Sequence, residues 1–419
     1  MTEKLNARQW VLIGLLIRLA VMPFTLHGDM FFIHEAPHLL VHGEGNAYGV
    51  ATAKNNLGYY PPFTLIFFAF MQFVFRFVSP DYEEFLHKIG SLEFAPLESE
   101  HLFLSLFMLK MPYLIFDFLI LHFCWKMIST GQKRRIFAVF WSLNPLVIYG
   151  SYMAGQLDIL PSFFVVLACY LCLQKGKGNW AALAIASGCL FKIFPIVFLP
   201  LVILIAGRNL KDYVRMAICG ALPVILVYYM FYLISGDSVI KLLSRHSYNM
   251  RSAVDYKDLV IRFFQAGAYM LVCAHVLSFR QKRLDYEKLA RCFLVVYLAV
   301  YWNLIIHWTH YLIWFTPFMI LFVVESPERK RICYFLLAVI FMGGFRSRES
   351  GFGIFAPINP DFFLSLPSLT DVTGFLFNQR AYDTVVDWLY KGTTALIGIF
   401  ILKNLYTSKR THAVEQSNT

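Results

Sequence analysis

Apolar residues do not alternate with polar ones along this chain; they run in blocks. Segments at 9–26, 102–127, 136–152, 157–174, 180–193, 194–207, 216–235, 257–278, 289–306, 310–324, 331–344 and 383–402 are apolar almost throughout and are separated by short polar stretches. A bilayer core is crossed by roughly 20 mainly apolar helical residues, and a helix satisfies its own backbone hydrogen bonds there. The pattern predicts an all-α integral membrane protein with about twelve transmembrane helices. The run 61–79 is a further candidate, opening with Pro61-Pro62 and rich in aromatics. The first block, Trp10 to Leu26, is bounded by Lys4 and Arg8 and lacks a small-residue cleavage site, so it reads as a retained helix rather than a signal peptide.

Composition agrees with the pattern. Of 419 residues, 58% are hydrophobic and 15% charged, against about 25% charged in an ordinary soluble domain. That excludes a soluble enzyme. The formal net charge of +11 would raise nucleic acid as a partner for a soluble chain, but the cations here cluster between apolar blocks, near 133–135, 175–177, 208–215, 280–283, 329–331 and 403–410. With a cytoplasmic N-terminus and 61–79 not crossing, all of these clusters face inward, as the positive-inside rule requires. Were 61–79 to cross, every later loop would invert. It is therefore expected to lie in the outer interface. The consequence is one multi-pass domain over 1–402, an acidic first external loop over 27–101 carrying interfacial helices, and a cytoplasmic tail over 403–419 polar enough for disorder. Membrane lipids, not nucleic acid, are the expected surroundings. The eight cysteines fall in or at the ends of apolar segments and read as packing residues, with neither a zinc site nor a disulfide framework indicated.

Ionisable residues near the membrane surface mark sites by default. Asp29 follows the first helix, with Glu35 and later Tyr59-Tyr60-Pro61-Pro62; it reads either as a general base for an acceptor hydroxyl or as a solvated interfacial cap. Gly155-Gln156-Leu157-Asp158 could bind sugar hydroxyls or form a turn with an Asp N-cap. Lys192 breaks the charge bias and reads as an anion ligand or a snorkelling side chain. Arg245 and Arg251, in the most basic external loop, could fork onto a phosphate or meet lipid headgroups. His307-Trp308-Thr309-His310-Tyr311 offers imidazoles and aromatics, with no third ligand placed for a metal. Lys110 and Asp117, both inside the block 102–127, are expected to pair with each other. Nucleotide-loop, zinc-protease and serine-hydrolase motifs are not found in the sequence.

In this order and with this external placement, Asp29, Tyr59 to Pro62, Lys110-x-Pro112 with Asp117, Asn144-Pro145, Gly155-Gln156-x-Asp158, Lys192-x-x-Pro195 with Leu199-Pro200, and His310-Tyr311 with Trp314 and Pro317 resemble the GT-C glycosyltransferases. The branch most similar holds the GPI-core and bacterial polyprenyl-phosphate-mannose mannosyltransferases. The resemblance implies a GT-C-like fold and inverting transfer of a hexose, mannose favoured, from a polyprenyl-phosphate sugar donor to a lipid-linked or glycan acceptor at the external face. No cofactor is expected; a divalent metal is compatible with the resemblance but not indicated by these residues. Asp29 would be the catalytic base, Lys192, Arg245 and Arg251 would bind the donor phosphate, and Glu35, Tyr60, Gln156, Asp158, His310 and Tyr311 would contact sugar or acceptor. A prokaryotic plasma membrane is favoured over the ER. The competing class is a lipid or glycan transporter or flippase, which would place broken helices and charge near the midplane; an acyl- or phosphotransferase using His38 or His310 as base is the third.

Overall fold

The computed structural model describes residues 5–42, 60–79, 84–86, 99–235, 256–279, 285–302, 309–325 and 351–368, with isolated positions between 371 and 399. Among them all regular structure is helical, as the blocks predict. Helix α1 (Ala7–Val21) opens on a capping box: Asn6 Oδ1 accepts the Gln9 amide at 3.0 Å, and Gln9 Oε1 accepts the Asn6 amide at 2.8 Å. After Pro23 the chain turns into α2 (Asp29–Val41), and α3 (Pro62–Phe75) starts with a proline at its first position, where a missing N–H costs nothing. Helix α4 (Leu102–Met127) is followed by α5 (Gly131–Ser142). Asn144 Oδ1 then accepts the amides of Leu146 and Val147 to restart the helix, which passes into a π-helical turn at Ile148–Met153. Next come α6 (Ile159–Cys172), α7 (Gly178–Cys189), a 3₁₀ turn Phe194–Phe198 leading into α8 (Leu199–Ala206), and α9 (Leu210–Ser235). Helices α10 (Tyr256–Phe279) and α11 (Tyr286–Trp302), a 3₁₀ turn Thr309–Trp314, and α12 (Thr316–Val323) complete the bundle, with α13 (Pro360–Ser365) beyond it.

Three of these segments are long and apolar enough to cross a membrane: Leu102–Met127, Gly131–Met153 and Leu210–Leu233. The protein is a membrane protein on that ground of length and composition. The expected count of about twelve spans is not met among the described residues, and the reason is helix length. At 1.5 Å per residue α6, α7 and α8 extend only about 21, 18 and 12 Å, short of a core about 30 Å thick. The block 194–207 is split by its 3₁₀ turn and two prolines, and 310–324 begins as a 3₁₀ turn. The block 331–344, and all but isolated positions of 383–402, lie outside the described residues, as do the first external loop over 43–59 and the tail.

The core sits on α6, which packs between α4 and α7, while α7 leans on α9, α10 on α11 and α11 on α12. Every residue of α12 is buried. Small residues on α7 (Ala181, Ala182, Ala184, Ala186) allow the close approach of α6. Seven cysteines are free thiols, five of them buried; Cys169 and Cys172, despite their Cys-x-x-Cys spacing, pack in this core, and Cys333 lies outside the described residues. The other side of α9 is apolar and exposed (Val214, Ile218, Leu222, Ile225, Leu226, Tyr229, Leu233), as a face turned to lipid would be.

Two charged groups deep in the bundle set the geometry of the α1 end. Lys110 and Asp117 do not pair with each other as expected. Lys110 Nζ, fully buried, donates to the carbonyls of Met22 and Thr25 at 2.8 and 2.5 Å and to Thr25 Oγ1 at 2.8 Å. It thus closes the carbonyl end of α1, where a cation also meets the negative pole of the helix. Asp117 instead pairs with Arg18 of α1 at 2.6 Å and accepts Trp141 Nε1–H and the Tyr152 hydroxyl, each at 2.6 Å. Arg18 spends its remaining donors on the carbonyls of Gly14, Ser142 and Trp141. The register Lys110 to Asp117 spans almost two full turns, so the two share a face of α4 but stand about 10 Å apart along it; each finds a partner on a neighbouring helix.

Candidate functional site

Several polar side chains converge at one end of the bundle, beyond the end of α1, the start of α2, the start of α6, the end of α7 and the 3₁₀ turn before α12. Asp29 occupies the first turn of α2, where the helix dipole favours a carboxylate. Gln156 Nε2 donates to Asp29 Oδ2 at 2.5 Å. Because an ionised carboxylate only accepts, this bond also orients the Gln156 amide, turning its carbonyl oxygen away from Asp29. The Asp29 amide donates to His27 Nδ1 at 3.2 Å. The Asp29 side chain is 25% exposed, so one face of the carboxylate stays open.

The turn that presents Gln156 is built rigidly. Gly155 has φ +67°, and a Cβ there would stand 2.6 Å from Met30 Cγ, so only glycine fits. The Tyr113 hydroxyl from α4 donates to the Gly155 carbonyl at 2.6 Å, and the Gln156 amide donates to the Gly150 carbonyl at 2.8 Å. Two residues on, Asp158 is fully buried. It precedes α6 but does not cap it, as its side chain makes no bond to the helix amides. Its carboxylate turns into the cluster instead: Oδ1 accepts Lys192 Nζ at 2.7 Å and also Trp314 Nε1–H. His310 Nε2 stands 3.8 Å from Oδ2, too far for a hydrogen bond.

Lys192 reaches the site from the end of α7 and lies over the rings of Tyr311 and Trp314, 4.5 and 5.2 Å from their centroids. Trp314 stacks in turn on Phe194 at 4.0 Å. Tyr60 belongs to the same cluster. Burial, reinforced by the charges of Asp29 and Asp158, pushes its phenol well above the usual range, so it stands as a neutral O–H at any ordinary pH.

Compared with known protein families, with curated proteins and with solved structures, the chain matches none.

Of the residues expected at a site, Asp29, Tyr60, Gln156, Asp158, Lys192, His310 and Tyr311 come together. Glu35 is buried on α2, but six residues beyond Asp29 it faces another side of that helix. Arg245, Arg251 and His307 lie outside the described residues. Among the described residues no three His, Cys, Asp or Glu side chains converge as metal ligands would. Reasoning from sequence missed Tyr113, which pins the Gly155 turn, and Arg18, which pins Asp117. Arg18 did carry a signal, since it is a charge inside the first apolar block. Tyr113 carried none, being one aromatic among many.

Chemically, the cluster offers an accessible carboxylate beside a second, buried one, a cation that is already paired, neutral imidazole and phenol donors, and two stacked aromatic faces. Such a set suits a ligand rich in hydroxyls, with one proton to be taken from it.

Proposed function

We propose that the chain is a membrane glycosyltransferase of GT-C type that transfers a hexose, mannose favoured, from a polyprenyl-phosphate donor to a hydroxyl of a lipid-linked or glycan acceptor, with inversion. The observation that carries this reading is the gathering of Asp29, Tyr60, Gln156, Asp158, Lys192, His310 and Trp314 from separate parts of the chain into one half-open cluster at one end of a membrane-embedded bundle. In this reading the cluster faces outward, the N-terminus lies in the cytoplasm and the membrane is a prokaryotic plasma membrane, the orientation that the loop cations favour.

The acceptor O–H attacks the anomeric carbon from the face opposite the phosphate. As the new C–O bond forms, its proton passes to the open oxygen of Asp29, and the bond from the anomeric carbon to the phosphate oxygen breaks, releasing polyprenyl phosphate. The leaving group needs little acid help, so catalysis rests on positioning and on cations near its developing charge. Arg245 and Arg251 fill that role in this reading. Lys192 adds to it, since pairing with Asp158 uses one of its three N–H donors. No cofactor enters the reaction.

The test is transfer of label from a radiolabelled polyprenyl-phosphate hexose in membranes carrying the protein, with the nucleotide sugar as control. Asp29→Asn should reduce the rate about 10²–10⁴-fold, the usual worth of a general base, at unchanged protein level. Full activity in that variant removes Asp29 as the base. No transfer from any lipid-linked donor sinks the transferase reading and leaves the transporter.

A further inference from the structure

Two acceptor oxygens at the site are buried and have no donor among the described residues: Asp158 Oδ2 and Gln156 Oε1. Their residues are 0% and 2% exposed and stand two positions apart on the rigid turn after Gly155. In each case the opposite end of the group is already fixed. Gln156 Nε2 is committed to Asp29, and Asp158 Oδ1 to Lys192 and Trp314. Neither group can rotate to satisfy its idle oxygen without giving up a charge-assisted bond. Burying an acceptor without a donor is costly, and most such atoms in folded proteins are partnered.

We propose that Asp158 Oδ2 and Gln156 Oε1 form one acceptor pair that receives two hydroxyl donors of the bound sugar, with Lys192 acting as the positioning residue that holds Asp158 in place. This rests on the transferase reading and deepens it by dividing the labour within the site. Two acceptor oxygens, one of them charged, repel a phosphate, so the donor's phosphate meets Lys192 on its exposed side, away from this pair. What they attract is a neutral ring with at least two free hydroxyls. A site built to bond hydroxyls discriminates strongly against ligands that lack them, because its own acceptors are then left unpaired.

The probes are the methyl glycosides of mannose, glucose and galactose and their monodeoxy derivatives, and the readout is direct binding to the full chain in nanodiscs by saturation-transfer NMR. At least one parent glycoside should bind, and two of its monodeoxy derivatives should bind roughly tenfold or more weakly. Gln156→Leu should erase one of the two penalties and leave the other. If Gln156→Leu does not fold, Lys192→Gln serves instead. It frees Asp158 to turn and should blunt the penalty belonging to the carboxylate. Equal binding of all deoxy derivatives shows that an ordered water satisfies these oxygens and overturns the proposal, as does failure of every glycoside to bind. Transfer from the lipid-linked donor is measured separately. Transfer with no hydroxyl dependence sinks the acceptor pair alone, and hydroxyl-dependent binding without transfer sinks the transferase reading alone.

Discussion

Asp117 and Asp158 are both buried aspartates in the same bundle, each facing a cation, yet they are built to opposite plans. Asp117 is 2% exposed and has both oxygens occupied, by Arg18, Tyr152 and Trp141, while Arg18 in turn fills its remaining donors with backbone carbonyls. Every polar atom in that network bonds within the protein, and it ties α1 to α4, α5 and the π-helical turn. Asp158 is fully buried but crowds its partners onto one oxygen, and its cation remains 19% exposed. A closed network makes a buried charge an anchor. A half-open one leaves bonding capacity for something that is not part of the chain. The lesson is that a buried charge becomes informative about function only when its lone pairs are counted one by one.

The largest effect is expected at the closed network. Removing one partner of a buried ion pair typically costs about 3–5 kcal/mol, because the other charge is left without compensation. Asp117→Leu should lose about that much stability, measured by unfolding in detergent. Arg18→Leu should lose a similar amount, and the double variant should lose much less than the sum of the two. Additive losses would mean that the two side chains do not act as a unit, and the contrast with Asp158 would fail.

What the sequence made legible follows from the same distinction. Apolar blocks predicted α4 to the residue and the end of α9, whose first six residues are polar enough to fall outside the block, because local composition decides where a helix lies in lipid. Among the described residues fewer segments are long enough to cross than the blocks predicted, because apolarity does not reveal that Phe194–Phe198 and Thr309–Trp314 wind as 3₁₀ turns or that α6 and α7 are short. At the site, the polar residues at block ends pointed to Asp29, Gln156, Asp158, Lys192 and His310 one by one. Their pairings were not legible, since they depend on how helices far apart in sequence meet. Lys110 and Asp117 show this most clearly. Proximity in sequence suggested one ion pair, and tertiary packing gives Lys110 to the end of α1 and Asp117 to Arg18.

A middle case lies between α2 and α3. His34 is buried against Phe68, and Gln72 Nε2 donates to its carbonyl at 3.0 Å, while His34 Nε2 and Gln72 Oε1 have no donor or acceptor opposite. Burial pushes the imidazole down to about 3 from its usual 6.5. The folded protein therefore refuses a proton that the unfolded chain accepts. The stabilising contribution is complete above pH 6.5 and is lost as the pH falls below it, by about 2 kcal/mol at pH 5. His34→Leu should remove that slope between pH 7 and pH 5 when its unfolding is compared with that of the parent. An unchanged slope would show that His34 finds a proton partner when folded. Such a pair is half-satisfied like Asp158, but among the described residues no cation or carboxylate is paired with it, so incomplete bonding alone does not make a site.

The smallest stability effect is expected at Asp158, and it is the one that bears most on the comparison. Asp158→Asn keeps the shape of the side chain, and its amide oxygen can still accept Trp314 Nε1–H and Lys192. The lost charge matters less than at Asp117 because Lys192 is partly exposed and can extend its ammonium toward water. A loss of about 1–2 kcal/mol is expected, the worth of trading a charged hydrogen bond for a neutral one. Function should move the other way. With the new amide oxygen on Lys192, the amide nitrogen takes the place of Oδ2 and puts a donor where an acceptor stood, so a hydroxyl that donated there meets another donor. Transfer from the lipid-linked hexose should fall at least tenfold in a variant that stays folded. Measured beside Asp117→Leu in the same detergent, the two aspartates should therefore rank in opposite order, Asp117 first for stability and Asp158 first for activity among variants that reach the native fold. Equal losses of stability at the two positions would mean that Asp158 is an anchor after all, and that its second oxygen is closed by groups of the protein itself.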